Sequence, residues 1–368
     1  MLKVGKQNLI IINIWFKFIL NSKTAGAIQV VDIQSANEKS ILEKNIPIID
    51  LDECSSESNP DGFNKLSKEI GRACRDWGFF QVVNHGIPDA SLDETWLATK
   101  NFFSLPKSEK RKLNRSSDNP WGFFDHELTK NKRDKKEIFD IGPLHSDEGL
   151  SSEEPFLGKT PWPKLLPEFE QFMREHFKAC EKLSLFILKA ICLSLGVDKD
   201  HLTDCFFPKH TSFLRLNYYP VDDPLADLKE QDHGEAGLGV HHHTDSGALT
   251  ILSQDNIGGL QVNKGGRWYP ITPIDRAFVI NIGDMVQVWS NGEYKAALHR
   301  VVAMDKEDRY SLPFFYNPTY STNVNPLNSV NSTRLYKEIN WGEFRRKRAD
   351  GDFANLGKEV QIDDYLIV

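Results

Sequence analysis

Hydrophobic positions follow a helical spacing in the first half of the chain. Apolar residues recur every three to four positions in three segments, 64–77, 91–103 and 167–195. That period predicts amphipathic helices, and Pro106 and Gly196 supply end signals for the second and third of them. Short apolar segments at 46–51 and 79–83 predict buried strands on either side of the first helix.

From residue 213 onward the apolar segments are short and are separated by Gly-rich turns. Gly265-Gly266 lies between two such segments and predicts a β-hairpin. Many short strands at this spacing are typical of a sandwich or jelly roll. Near the C-terminus the pattern predicts a closing helix at 334–347 and a terminal strand at 365–368.

A histidine and an aspartate two positions apart, His243 and Asp245, precede an apolar strand pattern at 248–252. Side chains at positions i and i+2 of a strand point to the same face, so both would aim at one point. A second imidazole from another strand, His299, would complete a set of two histidines and one carboxylate. That set suits non-haem Fe(II) that activates oxygen. The short motif also occurs by chance, and the competing interpretation is a polar surface strand.

Polar residues share strand faces at two further places. Arg309 and Ser311 alternate at the start of a strand pattern, and a guanidinium beside a hydroxyl is a good receptor for a buried carboxylate. The competing interpretation of Arg309 is a surface salt bridge. A second polar face lies upstream on segment 214–220, and it consists of Arg215, Asn217 and Tyr219.

Taken in order, these motifs resemble a known family. The chain is similar to the 2-oxoglutarate- and Fe(II)-dependent dioxygenases of the isopenicillin N synthase-like type, from about Ile46 to the C-terminus. The segments that carry the resemblance are 46–51, 78–88, 102–106, 136–142, 217–220, 243–245, His299 and 309–311. Each segment alone is unspecific, but their combination and order are specific.

The resemblance implies an α+β fold with a double-stranded β-helix, or jelly-roll, core. Flanking N-terminal helices and one long supporting helix would surround that core. The implied iron ligands are His243, Asp245 and His299. The residues implied to bind the co-substrate 2-oxoglutarate are Arg309, Ser311, Tyr219 and Asn217.

The implied reaction is oxidation of a small metabolite by O2 at Fe(II), with release of succinate and CO2. It would end in hydroxylation, desaturation or oxidative ring closure, and ascorbate would assist the enzyme in vitro. Two alternatives stay open. An oxidase like isopenicillin N synthase uses Fe(II) and O2 without 2-oxoglutarate, and there the Arg309–Ser311 motif would bind substrate. A non-catalytic metal-binding jelly roll is the other.

Substrate-pocket candidates follow from strand faces and from the resemblance. They are Arg215, His241, Trp121, Phe124, Phe315 and Tyr316. Arg215 and His241 would suit a carboxylated substrate, although Arg215 could instead form a structural pair. His241 should share a face with His243, whereas His242 should point away. The competing interpretation of the aromatic residues is core packing.

Composition narrows the class of protein. The chain has 368 residues, 40% hydrophobic residues and a net charge of -7, which fits a globular protein with a sizeable core and argues against general nucleic-acid binding. Its five cysteines lack C-x-x-C spacing, which indicates reduced thiols in the cytoplasm. We expect the protein to be a monomer, to act on a small molecule and to have no stable membrane span.

The N-terminal extension, residues 1–45, has three interpretations. An apolar segment at 9–20, interrupted by Asn13 and Lys17, has the outline of a targeting segment. The second interpretation is an extra helix packed on the domain, and the third is a non-native extension of the open reading frame that is dispensable for catalysis. The remaining chain is expected to divide into four parts. An N-terminal region spans 46–150, and a linker with the long helix spans 151–205. The catalytic core spans 206–322, and a C-terminal helix and tail span 323–368. Within the core, residues 221–238 form a polar insertion, either a lid or a solvated loop.

Overall fold

The computed structural model describes residues 46–52, 59–116, 118–130, 132–144, 158–224, 238–327, 333–353 and 360–367. All of them belong to one compact unit that spans Lys44–Val368. The predictions for residues 1–45, for most of the acidic linker at 146–163 and for most of the insertion at 221–238 lie outside the described residues.

Six α-helices occur in the described chain, and the three predicted in the first half are present. They are α1 (Pro60–Asp76), α2 (Asp89–Phe103), α3 (Lys107–Arg111), α4 (Phe169–Ser194), α5 (Asp284–Trp289) and α6 (Trp341–Arg348). Helix α1 begins earlier than the apolar period indicates, because Asn59 caps it by accepting from Gly62 N and Pro60 occupies its first turn. None of the described helices combines the length and the apolar character needed to cross a lipid bilayer.

The strands form two main sheets. Their bounds are β1 (Ile48–Asp50), β2 (Phe79–Val83), β3 (Gly122–Phe124), β4 (Leu128–Thr129), β5 (Lys132–Arg133), β6 (Glu137–Ile141), β7 (Phe213–Tyr219), β8 (Leu238–His243), β9 (Leu249–Gln254), β10 (Leu260–Lys264), β11 (Arg267–Pro270), β12 (Phe278–Ile282), β13 (His299–Val302), β14 (Arg309–Tyr316), β15 (Asn323–Val324) and β16 (Ile339–Asn340). An eight-stranded sheet has the order β1-β2-β12-β9-β14-β7-β6-β3, and a four-stranded sheet has the order β11-β10-β13-β8. This is the predicted jelly-roll core with its long supporting helix.

Two apolar clusters hold these layers together. The larger one joins α1, α2 and α4 to the outer face of the eight-stranded sheet, where Leu312 and Phe314 of β14 point. The smaller one lies between the two sheets and combines side chains such as Phe79, Leu252 and Val301. Alternate residues of β7, β9 and β14 therefore serve the helix-packed core or the space between the sheets.

The C-terminal predictions need correction. The helix predicted at 334–347 begins only at Trp341, because the Asn340 side chain caps it by accepting from Glu343 N at 3.1 Å. Residues 365–368 form no strand in the described part, since Ile362–Tyr365 is a 3-10 helix and Leu366 makes an isolated bridge with Tyr336. The Gly265-Gly266 hairpin is confirmed between β10 and β11.

Candidate active site between the two sheets

Three potential metal ligands converge at one end of the space between the sheets. His243 ends β8, His299 begins β13, and Asp245 lies two residues beyond β8. The Nε2 atoms of His243 and His299 lie 3.5 Å and 3.6 Å from Asp245 Oδ1. One ligand atom from each residue falls within 4.8 Å of the others. The predicted constellation is therefore assembled in space.

Neighbouring groups orient each of these three side chains. His243 Nδ1 donates to His241 O at 2.8 Å, and His299 Nδ1 donates to Ala297 O at 3.0 Å. Because a carbonyl only accepts, both rings carry a proton on Nδ1, and their Nε2 atoms face Asp245. Asp245 Oδ2 in turn accepts from Thr250 at 2.5 Å and Asn281 at 2.7 Å, which leaves Oδ1 toward the histidines.

The protonation states suit metal binding. Burial and the nearby His243 lower the pKa of His299 to about 4, so its imidazole is neutral at physiological pH. Burial would raise the pKa of Asp245, but His299, His243 and Thr250 together hold that pKa well below its ordinary value. Neutral imidazole and ionised carboxylate are the forms that bind a metal. Two imidazole nitrogens and one carboxylate oxygen are the donor set that fits Fe(II) with open positions.

A cavity of about 260 Å³ adjoins this cluster and extends between the sheets. Arg309 of β14 lies in its wall with only 1% of its surface exposed. Arg309 Nη1 donates to Ser311 Oγ and Arg309 Nη2 donates to Gln254 Oε1, both at 3.3 Å, while Nε has no hydrogen-bond partner among the described residues. Among the described residues, no carboxylate forms an ion pair with this guanidinium, although Asp255 interacts with its charge at longer range. The buried cation therefore faces the cavity without a direct carboxylate partner.

The hydroxyl of Ser311 is arranged to donate into the same space. Its Oγ accepts from Arg309 and, at 3.3 Å, from Asn217 Nδ2. With both lone pairs occupied, the hydroxyl proton is left for an acceptor in the cavity. The ring of Tyr219 lies 4.9 Å from the Arg309 guanidinium and completes this end of the wall. The four residues predicted to bind the co-substrate thus lie together.

An ion-pair network forms another part of the cavity wall. Arg215 binds Asp140 through two hydrogen bonds of 2.7 Å and 2.8 Å and Glu127 through a third of 3.1 Å. Arg115 donates to the other oxygen of Glu127 at 2.7 Å. Burial would raise the pKa of Glu127, but Arg115, Arg215 and Lys136 lower it to about 2. Arg215 lines the cavity as predicted, yet its charge is already matched, which fits the structural pairing that the sequence left open.

His241 does not line the cavity, and the reason is a β-bulge. His299 pairs with His243 and Val301 pairs with Val240, so two steps along β13 match three steps along β8. The extra residue puts Val240 and His243 on the cavity side and turns His241 toward Asp134, whose Oδ1 lies 3.1 Å from its Nδ1. The prediction that His241 and His243 share a face is wrong.

Of the four aromatic candidates for the substrate pocket, two line the cavity and two do not. Trp121 and Phe315 line the cavity, as predicted. Tyr316 follows Phe315 on β14 and therefore points to the opposite face, where it stacks on Phe206 in the helix-packed core. Phe124 lies under the guanidinium of Arg115 at 3.8 Å and does not reach the cavity. Tyr316 and Phe124 are therefore not pocket residues.

Several residues that line the cavity were not predicted from the sequence. They include Arg115, Glu127, Lys136, Phe213, Arg345 and Arg348. Lys136 and Asp140 do fall in one of the segments that carry the family resemblance, but the pairing of Asp140 with Arg215 follows from the register of β6 on β7. That register depends on contacts between residues far apart in the chain, and no local pattern encodes it.

Comparisons with known proteins agree with this architecture. A family described as the 2OG-Fe(II) oxygenase superfamily matches residues 210–318. A second, described as the N-terminal region of a non-haem dioxygenase in morphine synthesis, matches residues 46–165. Gibberellin 20 oxidase 2 of Oryza sativa subsp. indica is 34% identical over 84% of this chain and 77% of its own length. Jasmonate-induced oxygenase 1 of Arabidopsis thaliana is 33% identical over 84% of this chain and 74% of its own.

Solved structures give the same picture. The structure of JOX2 in complex with 2-oxoglutarate, iron and JA superposes with a TM-score of 0.71, at 28% identity, over 88% of this chain and 90% of that one. The structure of a full-length Neurospora crassa protein in complex with alpha-KG and thymine has a TM-score of 0.70 at 26% identity, covering 83% of this chain and 96% of that one.

Fold and site together define a mononuclear non-haem iron oxygenase. The chain belongs to the 2OG-Fe(II) oxygenase superfamily. It is a 2-oxoglutarate-dependent dioxygenase acting on small metabolites, with Fe(II), 2-oxoglutarate and O2 as cofactor and co-substrates. Membership in this enzyme family argues against the alternative of a non-catalytic metal-binding jelly roll.

Proposed function

We propose that His243, Asp245 and His299 hold Fe(II), and that Arg309 and Ser311 bind the distal carboxylate of 2-oxoglutarate. One observation carries this assignment. Arg309 is a buried guanidinium that faces the cavity without a carboxylate partner in the described chain, beside a cluster of metal-ligand type. A dianionic co-substrate that spans the two sites would compensate that charge.

Different residues around the cavity would bind 2-oxoglutarate and orient the groups that bind it. Arg309 supplies N–H groups and Ser311 supplies its hydroxyl proton, while Asn217 and Tyr219 hold these two in place. The 2-oxo acid end is then directed toward the triad before chemistry begins. When bound, Fe(II) activates O2 while 2-oxoglutarate is oxidised to succinate and CO2. Phe79 and Val301, which line the cavity near His299, exclude water from this end.

For the substrate, we propose a carboxylated small molecule of specialised metabolism. Support comes from the cationic side chains in the lining and from the aromatic surfaces of Trp121, Phe213 and Phe315 beside them. The relatives whose names mention gibberellin and jasmonate are in line with such a substrate. The outcome would be hydroxylation, desaturation or ring closure of the carbon skeleton.

The setting of the enzyme is also a proposal. We infer a cytoplasmic enzyme, since the four cysteines of the described chain are free thiols: Cys74, Cys180, Cys192 and Cys205. That the protein is a monomer stays a prediction. We assign catalysis to a core at 206–322, with the region at 46–150 supplying Trp121 and the partners of Arg215 in the ion-pair network to the substrate wall.

A screen of succinate release tests the proposal. The enzyme is incubated with Fe(II), 2-oxoglutarate, ascorbate and a panel of carboxylated metabolites, and products are examined by mass spectrometry. We expect succinate in step with substrate consumption, and product with one oxygen gained or two hydrogens lost. Substrate oxidation without succinate would instead indicate an oxidase that needs only Fe(II) and O2. An Arg309→Met variant should lose saturation by 2-oxoglutarate.

A further inference from the structure

Lys136 places a buried ammonium group in the wall of the cavity. The residue precedes β6, lines the cavity, and is only 3% exposed. Its Nζ lies 3.2 Å from Asp134 Oδ2, and within the described part of the chain it has no other ion pair or side-chain hydrogen bond. An ammonium carries three N–H donors, so at least two of them have no acceptor among these residues.

Lys136 also interacts with Glu127 at longer range, but among the described residues Asp134 is the carboxylate that forms a direct ion pair with it. That carboxylate is shared among several donors. Asp134 is fully buried, and its Oδ1 accepts from the backbone N of His241 at 3.1 Å and faces the His241 ring. Asp134 Oδ2 accepts from Thr129 at 2.7 Å. The carboxylate is thus fastened to β8 and to the β4–β5 hairpin, and it holds Lys136 in place without filling its donors.

The neighbouring cations of the lining are engaged differently. Arg215 gives three hydrogen bonds to Asp140 and Glu127, and Arg115 is bound to Glu127. Arg348 donates to Thr244 O at 3.1 Å and to Gln361 at 2.8 Å. Leaving donors of a buried ammonium unfilled is costly unless a ligand completes them.

We propose that Lys136 is the specificity-determining cation that binds the carboxylate of the substrate. This inference rests on the proposed function and names the residue that recognises the acid. Asp134 fixes Lys136 beside the strand that ends at His243, so a substrate held there extends along the wall toward the triad. Trp121, Phe213 and Phe315 give an apolar surface for the rest of the molecule. The site therefore selects amphiphilic monocarboxylic acids with a ring or alkyl body.

Binding titrations on acid and ester pairs test this assignment. The probes are indole-3-acetic acid, jasmonic acid and a gibberellin carboxylic acid, each with its methyl ester, titrated calorimetrically into anaerobic enzyme loaded with Fe(II) and 2-oxoglutarate. For at least one pair we expect the acid to bind the wild-type enzyme more tightly than the ester. Lys136→Met should weaken that acid by about tenfold to hundredfold and leave its ester unchanged, because only the acid needs the ammonium.

Two further variants sharpen the result. Lys135→Met removes the same charge from a neighbouring side chain that does not line the cavity, and it should bind like the wild type. Lys136→Arg keeps the charge and should retain a preference for the acid. Unchanged binding of the ester shows that the Lys136→Met cavity is intact.

Three outcomes would overturn the assignment: no acid preferred over its ester, a preference that survives Lys136→Met, or equal losses for acid and ester. Failure of the proposed function would appear elsewhere. It would be seen as absence of succinate release from the wild-type enzyme with every compound, a readout independent of these titrations.

Discussion

At the scale of single residues, the site consists of polar groups whose partners fill part of their hydrogen-bonding capacity. Arg309, Ser311 and Lys136 each keep donors for a ligand, whereas the charge of Arg215 is already matched by Asp140 and Glu127. The difference cannot be read from residue type, because all four line the same cavity. Only the partners of each side chain separate a receptor from a structural pair.

Gln254 is the residue that fixes the orientation of Arg309 from β9. Its Oε1 accepts from Arg309 Nη2, and its own Nε2 is buried without a partner among the described residues. We predict that Gln254→Glu raises the KM for 2-oxoglutarate by about tenfold or more with a smaller effect on kcat, since a carboxylate would pair with Arg309 and compete with the co-substrate. Gln254→Met, which adds no charge, should show a smaller rise. An unchanged KM in Gln254→Glu, measured by succinate release, would contradict the role of Arg309.

The face to which a side chain points could be predicted from the strand period on regular strands, but not at a β-bulge. The alternation of Arg309 with Ser311, and of Asn217 with Tyr219, follows from the strand period alone. Tyr316 was misplaced because two adjacent residues of one strand were both assigned to the cavity. His241 was misplaced because a β-bulge shifts the period, and nothing in the local sequence marks it.

At the scale of elements, the β4–β5 hairpin and β8 are connected through one carboxylate. Asp134, which directly follows the hairpin, accepts from His241 N, and His241 O accepts from the Nδ1–H of His243. The hairpin therefore supports the orientation of His243, a proposed metal ligand that it does not touch.

The strength of that connection can be measured by metal titration. We predict that Asp134→Ala raises the Kd for Fe(II) by about tenfold, within the range usual for loss of a group that positions a ligand. Asp223→Asn is the matched control, because it breaks the ion pair of Asp223 with Arg133 on the same hairpin without touching β8. Equal affinity in Asp134→Ala and the wild type would rule out the positioning role.

Elements with strong local signals were predictable from the sequence. The long helix α4 and the Gly265-Gly266 hairpin are set by period and turn chemistry. The C-terminal helix was predicted too long, because residues before Trp341 are held by non-local contacts such as the Tyr336–Leu366 bridge. Such contacts override a helical spacing that is too weak to decide the local structure.

At the scale of the whole molecule, buried charges tie the N-terminal region to the core. Glu127 lies between Arg115 and Arg215 and connects the β3–β4 region to β7. Pairing between β1, β2 and β12 joins segments far apart in the sequence. The fold class was predictable because the family motifs occur in order, whereas this strand order could not be derived from local patterns.

The Glu127 network should be visible in acid stability. Its folded pKa of about 2 lies below the ordinary value of 4.5, so the ionised carboxylate stabilises the fold above that value and this contribution is lost as pH falls toward 2. Between about pH 5 and about pH 3, we predict that the free energy of unfolding drops by about 2 kcal/mol more in the wild type than in Glu127→Gln. Identical slopes for Glu127→Gln and the wild type in denaturant titrations would contradict this.

In the proposed assignment, His243, Asp245 and His299 hold the iron that couples 2-oxoglutarate to substrate oxidation. The most direct measurement is iron-dependent succinate release from 2-oxoglutarate, made side by side on the wild type, His243→Ala and Asp245→Ala. We predict release by the wild type that a chelator stops and added Fe(II) restores, and none above background in either variant, because each lacks one of only three protein ligands. Sustained 2-oxoglutarate-dependent release by a correctly folded His243→Ala or Asp245→Ala protein would contradict the assignment.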